Sequence, residues 1–270
     1  MKKIADCMAE RKKIMIIQHI RNACMLIHYH EHRILLDPCL NPKGTLPPYT
    51  LFRKKPRLNP IVDLPQNSES AFRQITSCII THCRGGHLDH LDISGMRLLA
   101  EKKIPVYCNA LDEPYLKKNN IHTIPLTINR KSNFLEGSIT AVPAVHGYGL
   151  IGKLMGPGTG YFIELPREKT LYISGDTILN QTVRNVLTDL RPDIAVLNAG
   201  TATLDFGKPI LMPMSELLDF IRIAPGKVIA VHLDAFNHCL TTRAILKDAV
   251  AKEGLSGKVI IPADGELMEF

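Results

Sequence analysis

Eleven histidines stand in this chain of 270 residues, and several of them occupy one kind of place. The apolar run 77–81 ends at His82 and leads into Cys83-Arg84-Gly85-Gly86-His87-Leu88-Asp89-His90-Leu91-Asp92, so three imidazoles and two carboxylates fall within eleven residues. Three further apolar runs finish the same way: 139–145 at His146, 170–174 just before Asp176, and 227–231 at His232. Borderline-soft divalent ions take imidazole nitrogen and carboxylate oxygen, and catalytic sites draw such ligands from scattered loops on a rigid scaffold. Together these residues predict one polynuclear metal site. Singly they say less: a lone His146 or His232 is an ordinary strand-end histidine, and Asp176 in Gly175-Asp176-Thr177 reads as a turn residue or helix cap. His87, Asp89 and His90 tip the balance, because a solvated turn rarely sets two histidines around an aspartate directly after an apolar strand. His28, His30 and His32 alternate on a charged hairpin turn and read as surface groups. His19 and His122 have no companion ligand motif and read as structural.

The elements that must position these groups follow from hydrophobic periodicity and turn chemistry. A first hairpin and strand are expected over 14–20, 24–29 and 33–37, with a polar turn at His30-Glu31-His32. Seven prolines between Pro38 and Pro65 exclude regular structure there and predict a long ordered loop, of the kind that borders a site. Beyond it, strands are expected at 77–81, 104–108, 138–145, 160–164, 170–174, 194–198, 227–231 and 258–261. Helices are expected near 94–102, 113–118, 178–190, 215–223 and 242–252. The alternation is α/β, and no glycine-rich phosphate loop is present.

Composition narrows the class further. With 45% apolar and 22% charged residues the chain can bury a sizeable core. Runs such as 14–17, 34–36 and 228–231 fall far short of the roughly 18–20 apolar residues that span a bilayer, so no membrane span is expected. The net charge of +7 is concentrated near the start and in Arg53, Lys54, Lys55 and Arg57. No aromatic residues interleave with these clusters, so solvated lysines are favoured over a nucleic-acid groove. Seven cysteines, odd in number and never spaced as CxxC, suit reduced thiols in a cytoplasmic protein. Residues 1–13 read as an extension lacking a secretion signal, Met15 as an alternative start, and 14–270 as a single domain.

The chain resembles the metallo-β-lactamase fold superfamily, whose signature is His-x-His-x-Asp-His after a strand, then a distant His, an Asp and a final His. Within it the sequence is most similar to the branch of L-ascorbate-6-phosphate lactonase and N-acylphosphatidylethanolamine-type phospholipase D. The residues carrying this are Leu35-Leu36-Asp37-Pro38, Asp89-His90-Leu91-Asp92, Val142-Pro143-Ala144-Val145-His146, Gly160-Tyr161-Phe162-Ile163-Glu164, Ser174-Gly175-Asp176-Thr177 and Arg191-Pro192-Asp193-Ile194-Ala195. The resemblance implies a four-layer αββα sandwich with two divalent ions, zinc or manganese, at one edge of the sheets. His82, His87 and His146 would hold one ion, Asp89, His90 and His232 the other, with Asp176 bridging. One departure leaves two registers open. The family pattern separates its first two histidines by one residue, whereas His82 and His87 are separated by four. Either three residues are inserted, Gly85-Gly86 bulge outward and His82 remains the first ligand, or His82 and His87 are the outer ligands and Arg84 and Gly86 replace the middle ones. The first fits the strand position of His82 and the helix after Asp92.

The implied activity is hydrolysis by a metal-bound hydroxide, with Asp89 orienting or deprotonating the water. A small anionic substrate, a lactone or phosphodiester, is the expected target, with His238, Lys208, Arg243 and Arg84 as candidate anion contacts; His238, six residues past His232, is the best placed. Lys208 and Arg243 also suit ordinary surface charges, and Thr241-Thr242 a helix cap. A nuclease would need an added RNA-binding module. A binding protein of the same fold, catalytically impaired by an irregular metal site, is the reading from a different class. A homo-oligomer is compatible with all of these.

Overall fold

The computed structural model describes residues 15–66 and 68–270; the expected extension over 1–13, Cys7 included, lies outside the described residues. Two seven-stranded sheets are built in succession along the chain. The first contains β1 (Ile16–Arg21), β2 (Cys24–Tyr29), β3 (His32–Leu36), β4 (Ser77–Ile79), β5 (Val106–Asn109) and β6 (Thr123–Leu126), and is completed at the β1 edge by the last strand, β14 (Leu267–Glu269). The second runs from β7 (Lys131–Phe134) through β8 (Gly137–Val145), β9 (Pro157–Glu164), β10 (Leu171–Ile173), β11 (Ile194–Asn198) and β12 (Lys227–Val231) to β13 (Val259–Ile260).

Each sheet changes from antiparallel hairpins to parallel strands joined by helical crossovers. β3, β4, β5 and β6 pair in parallel, as do β10, β11, β12 and β13. Parallel strands must be covered on both faces, and the period-two pattern shows how. In β11, Ile194 and Val196 face the opposite sheet, while Ala195 and Leu197 face helices. In β12, Ile229 and Val231 point inward and Val228 and Ala230 outward. A central layer of Ile17, Ile27, Ile34, Ile79, Ile139, Tyr161, Ile163 and Ile173 therefore joins the sheets. The outer face of the first sheet packs on α2 (Ile93–Glu101) and α3 (Glu113–Lys118) through Leu99 and Leu116. The outer face of the second packs on α5 (Gln181–Asn185), α6 (Met214–Ile223) and α7 (Arg243–Lys252) through Val183, Leu217, Phe220 and Leu246. This is the αββα order.

Helix ends follow the expected chemistry. Asp92 caps α2 by accepting from Gly95 N, and Thr242 caps α7 by accepting from Ile245 N. The expected helix over 178–190 is α5, capped by Asn180, running into a π-helical turn over Val186–Leu190. Five short elements were not expected. β6, β7 and β14 are edge strands of four residues or fewer, and Pro125 in β6 weakens the strand pattern. The others are α1 (Ser68–Phe72) and the exposed glycine-flanked α4 (Gly149–Met155).

The proline-rich segment wraps as an ordered loop. Buried Arg21 holds it by donating to the carbonyls of Val62, Cys39 and Asn41. Asn237 holds its middle, accepting from Tyr49 N and donating to Thr50 O, while Asn237 N donates to Asn59 Oδ1. The loop is thereby fixed to the segment that carries His232 and His238. Among the described residues no helix is long and apolar enough to cross a membrane.

Candidate metal centre

Seven predicted ligands come from four strand ends. β4 delivers His82 and the turn after it His87, Asp89 and His90; β8 delivers His146, β10 Asp176 and β12 His232. All seven are buried. His82, His87 and His146 each offer a nitrogen, mutually within 4.8 Å, and Asp89, His90, Asp176 and His232 form a second such group. Asp176 stands between them: its Oδ2 lies 3.2 Å from His146 Nε2, 3.3 Å from His90 Nε2, 3.9 Å from His232 Nε2 and 4.0 Å from His82 Nε2. The other oxygen of Asp176 accepts from Asn198 Nδ2 at 2.6 Å. Asp89 Oδ2 lies 3.2 Å from His232 Nε2 and 3.6 Å from His238 Nε2.

Glycine explains how His82 reaches this cluster. Gly85 and Gly86 have φ of 74° and 94°, and a Cβ on either would meet nothing within 4 Å, so the enlarged turn bulges into open space. His82 stays buried beside His87 and His90, with ring centroids 4.2 Å from each. Arg84, a ligand position in the competing register, instead donates to Asp112 at 2.8 Å.

One nitrogen of each of these imidazoles is tied to an outward partner. His90 Nδ1 meets Asp37 Oδ2 at 2.8 Å, His146 Nδ1 donates to Ile210 O at 2.8 Å, and His82 Nδ1 lies 3.1 Å from the Thr81 hydroxyl. His232 Nδ1 lies 3.3 Å from Cys239 Sγ. His87 is turned the other way, with Nε2 donating to Met155 O at 3.1 Å, which leaves Nδ1 free. The inward Nε2 atoms of His82, His90 and His232 are buried and make no hydrogen bond, although carboxylate oxygens lie near. Buried polar atoms without partners are costly. Lone pairs converging on shared points fit a divalent ion, and the outward bonds fix which nitrogen is presented.

The charges follow from this crowding. Desolvation drives His82 well below the ordinary histidine range and His146 and His238 down to about 4. Burial also opposes charge on His90, but Asp176, Asp37 and Asp89 outweigh it and push the group up to about 10. His232 is raised against burial by Cys239, Asp176 and Asp89. Burial works against Asp89 and Asp176 as carboxylates, yet the surrounding imidazoles hold both well below their usual range.

A cavity of about 240 Å³ opens over the cluster, lined by His87, Asp89, His146 and His238 and walled by Tyr49, Met155, Leu204 and Ile210. Of the four candidate anion contacts only His238 reaches it. Arg243 is paired with Asp234 and Asp264, Arg84 with Asp112, and Lys208 is exposed outside the lining. His32, expected at the surface, pairs with Glu136 beside Glu31, an exposed group away from this cluster. Sequence reasoning gave no role to Asn22, Asp37, Thr81, Asn198 or Cys239. Asp37 alone had a signal, standing in the motif Leu35-Leu36-Asp37-Pro38. Asn22 joins the sheets at the site: its Nδ2 donates to Asp89 O, and its carbonyl accepts from His232 N.

No family model matches this chain. It is similar to the UPF0173 protein YddR of Bacillus subtilis (strain 168), 29% identical over 95% of this chain and 100% of that one. A possible metal-dependent hydrolase from Veillonella parvula DSM 2008 superposes with a TM-score of 0.86 at 25% identity, covering 95% of this chain and 100% of the other. An isothiocyanate hydrolase from Delia radicum gut bacteria is 30% identical, with a TM-score of 0.83 over 95% of this chain and 99% of its own. The chain belongs to the metal-dependent hydrolases of the metallo-β-lactamase fold. The fold extends to more distant proteins, such as the metallo-β-lactamase fold protein YhfI from Bacillus subtilis, with a TM-score of 0.65 at 14% identity over 96% of this chain and 100% of that one. In this UPF0173-like hydrolase, the four strand ends that meet at Asp176 belong to one full-length fold.

Proposed function

We propose that this hydrolase acts on a small, neutral electrophile, an isothiocyanate or a lactone, at a two-ion centre. The observation that carries this is the cavity wall. Above the cluster it is built from Tyr49, Met155, Leu204 and Ile210, and among the described residues no lysine or arginine lines it. A phosphodiester would therefore find its charge met only at the cavity floor. The full-length likeness to an isothiocyanate hydrolase supports a heterocumulene carbon as the point of attack.

In this reading His82, His87 and His146 would hold one ion and Asp89, His90 and His232 the other, with Asp176, which lies between the two groups, serving both. A bound divalent ion lowers the pKa of water from 15.7 to about 7, which supplies a nucleophile at neutral pH. Asp89 faces the cavity, the surrounding imidazoles hold it as a carboxylate, and it would orient the attacking water by accepting a hydrogen bond from it. His238 is neutral at working pH, since burial holds it near 4. Its ring stands beside Tyr49, with centroids 4.9 Å apart, and offers an N–H to the substrate atom on which negative charge develops. The apolar wall holds the organic side chain and excludes competing water.

The test is a turnover comparison of the metal-loaded protein on alkyl and aryl isothiocyanates, neutral lactones and phosphodiesters. The expected result is preference for the neutral substrates and a loss of roughly 10²–10³ in kcat for His238→Ala, the size of one lost oxyanion contact. Faster turnover of a phosphodiester than of either neutral class would overturn the reading.

A further inference from the structure

Three segments form the rim outside the cavity, and each projects apolar side chains into solvent. Phe52 in the proline-rich loop is 79% exposed, Phe206 77%, and Leu150 and Leu154 on α4 74% and 73%. They are contiguous. The rings of Phe52 and Phe206 lie 6.5 Å apart, and a Cβ on Gly207 would stand 3.3 Å from the Ile151 side chain of α4. The loop tip is also built to present its ring. Both oxygens of Asp205 are used in accepting from the backbone of Leu51, Phe52 and Arg53 at 2.8–2.9 Å, which fixes the turn with Phe52 outward. Large apolar patches on a water-soluble surface mark contact sites.

Charge selects the occupant. Segments 49–58, 149–155 and 204–208 carry six basic residues, Arg53, Lys54, Lys55, Arg57, Lys153 and Lys208, against the single acid Asp205. Lys54 is committed to Cys239 O at 2.8 Å and Arg53 to Asp205 O at 3.4 Å. Lys55, Arg57, Lys153 and Lys208 are exposed. A second copy presenting the same face would bring like charges together. Aromatic and leucine side chains ringed by free cations suit the interface of an anionic bilayer, where rings enter the acyl boundary and cations meet the headgroups. We propose that this rim docks the hydrolase onto anionic lipid surfaces, with the cavity mouth toward the bilayer. The docking does not depend on which electrophile is hydrolysed.

The experiment is cosedimentation of the full-length, metal-loaded protein with vesicles of phosphatidylcholine alone or mixed with phosphatidylglycerol. Binding is expected to the anionic vesicles and to be several-fold weaker on the neutral ones, with loss in high salt. The double variant Phe52→Ser/Phe206→Ser should bind roughly tenfold more weakly, and Lys55→Glu/Arg57→Glu should lose roughly fivefold or more per charge. Circular dichroism and metal content matching the parent protein establish that both variants are folded. The proposal fails if the parent protein stays in the supernatant with anionic vesicles at low salt, or if the double phenylalanine variant sediments as the parent does. It also fails if that variant turns a dimer into a monomer in analytical ultracentrifugation, which would assign the rim to a second copy.

Discussion

His82 stands three residues earlier than the family spacing requires, yet its buried Nε2 joins the group around Asp176. If it is a ligand, His82→Ala should remove most of the metal held with His87 and His146, read as metal per chain by elemental analysis. Unchanged content would show that the bulged alignment, with His82 as first ligand, is wrong. Asp37 is the corresponding test one bond further out. It occupies a left-handed backbone position at the end of β3, φ 42°, and accepts from Thr81 N, Thr81 Oγ1 and His90 Nδ1. Strain at a buried residue with every bond committed is a mark of function. Asp37→Asn keeps the shape and loses the charge that orients His90, so metal affinity should fall roughly 10–100-fold while the fold persists. Competition with a chromophoric chelator measures it.

At the scale of elements, the site depends on how closely loops approach one another. A Cβ on Gly200, just past β11, would stand 2.5 Å from His232 O and 2.8 Å from Cys239 Sγ. Gly200→Ala should therefore displace the His232–Cys239 contact and cost about 1–3 kcal/mol, the usual penalty of overpacking. Urea unfolding reads that cost, and a change below the error of the fit would show that the loop relaxes freely. The elements themselves were largely legible, because β2, β11, β12 and α3 obey simple periodicities. β6, β7, β14 and α4 were not. Their few residues carry little hydrophobic pattern, and only pairing at a sheet edge or packing beside the cavity makes them regular.

The whole molecule couples metal, protons and stability. In the metal-free protein His90 lies near 10, so it is charged at neutral pH, and it must lose that proton to bind an ion. Metal loading should release protons, seen as a calorimetric heat that changes with the ionisation enthalpy of the buffer; a buffer-independent heat would refute it. The same shifts set stability without metal. The raised His90 contributes fully below the unfolded value and loses its contribution as pH rises through about 10. His146 and His238, lowered to about 4, cost stability as pH falls from the unfolded value towards 4. Metal-free melting temperature should thus peak near pH ~6.5, the unfolded histidine value, and a steady rise across that range would contradict it. By itself the sequence determined the α/β class, most strands and the strand-end placement of seven ligand-type residues, because periodicity and residue chemistry are local properties. Only the tertiary structure decided that Gly85 and Gly86 loop outward and let His82 join the cluster. It also decided that Asp37, Thr81 and Cys239 orient the imidazoles, and that the arginines expected at the substrate are engaged elsewhere. Those outcomes depend on which distant side chains are brought within hydrogen-bonding reach when two sheets pack, and no local pattern encodes them.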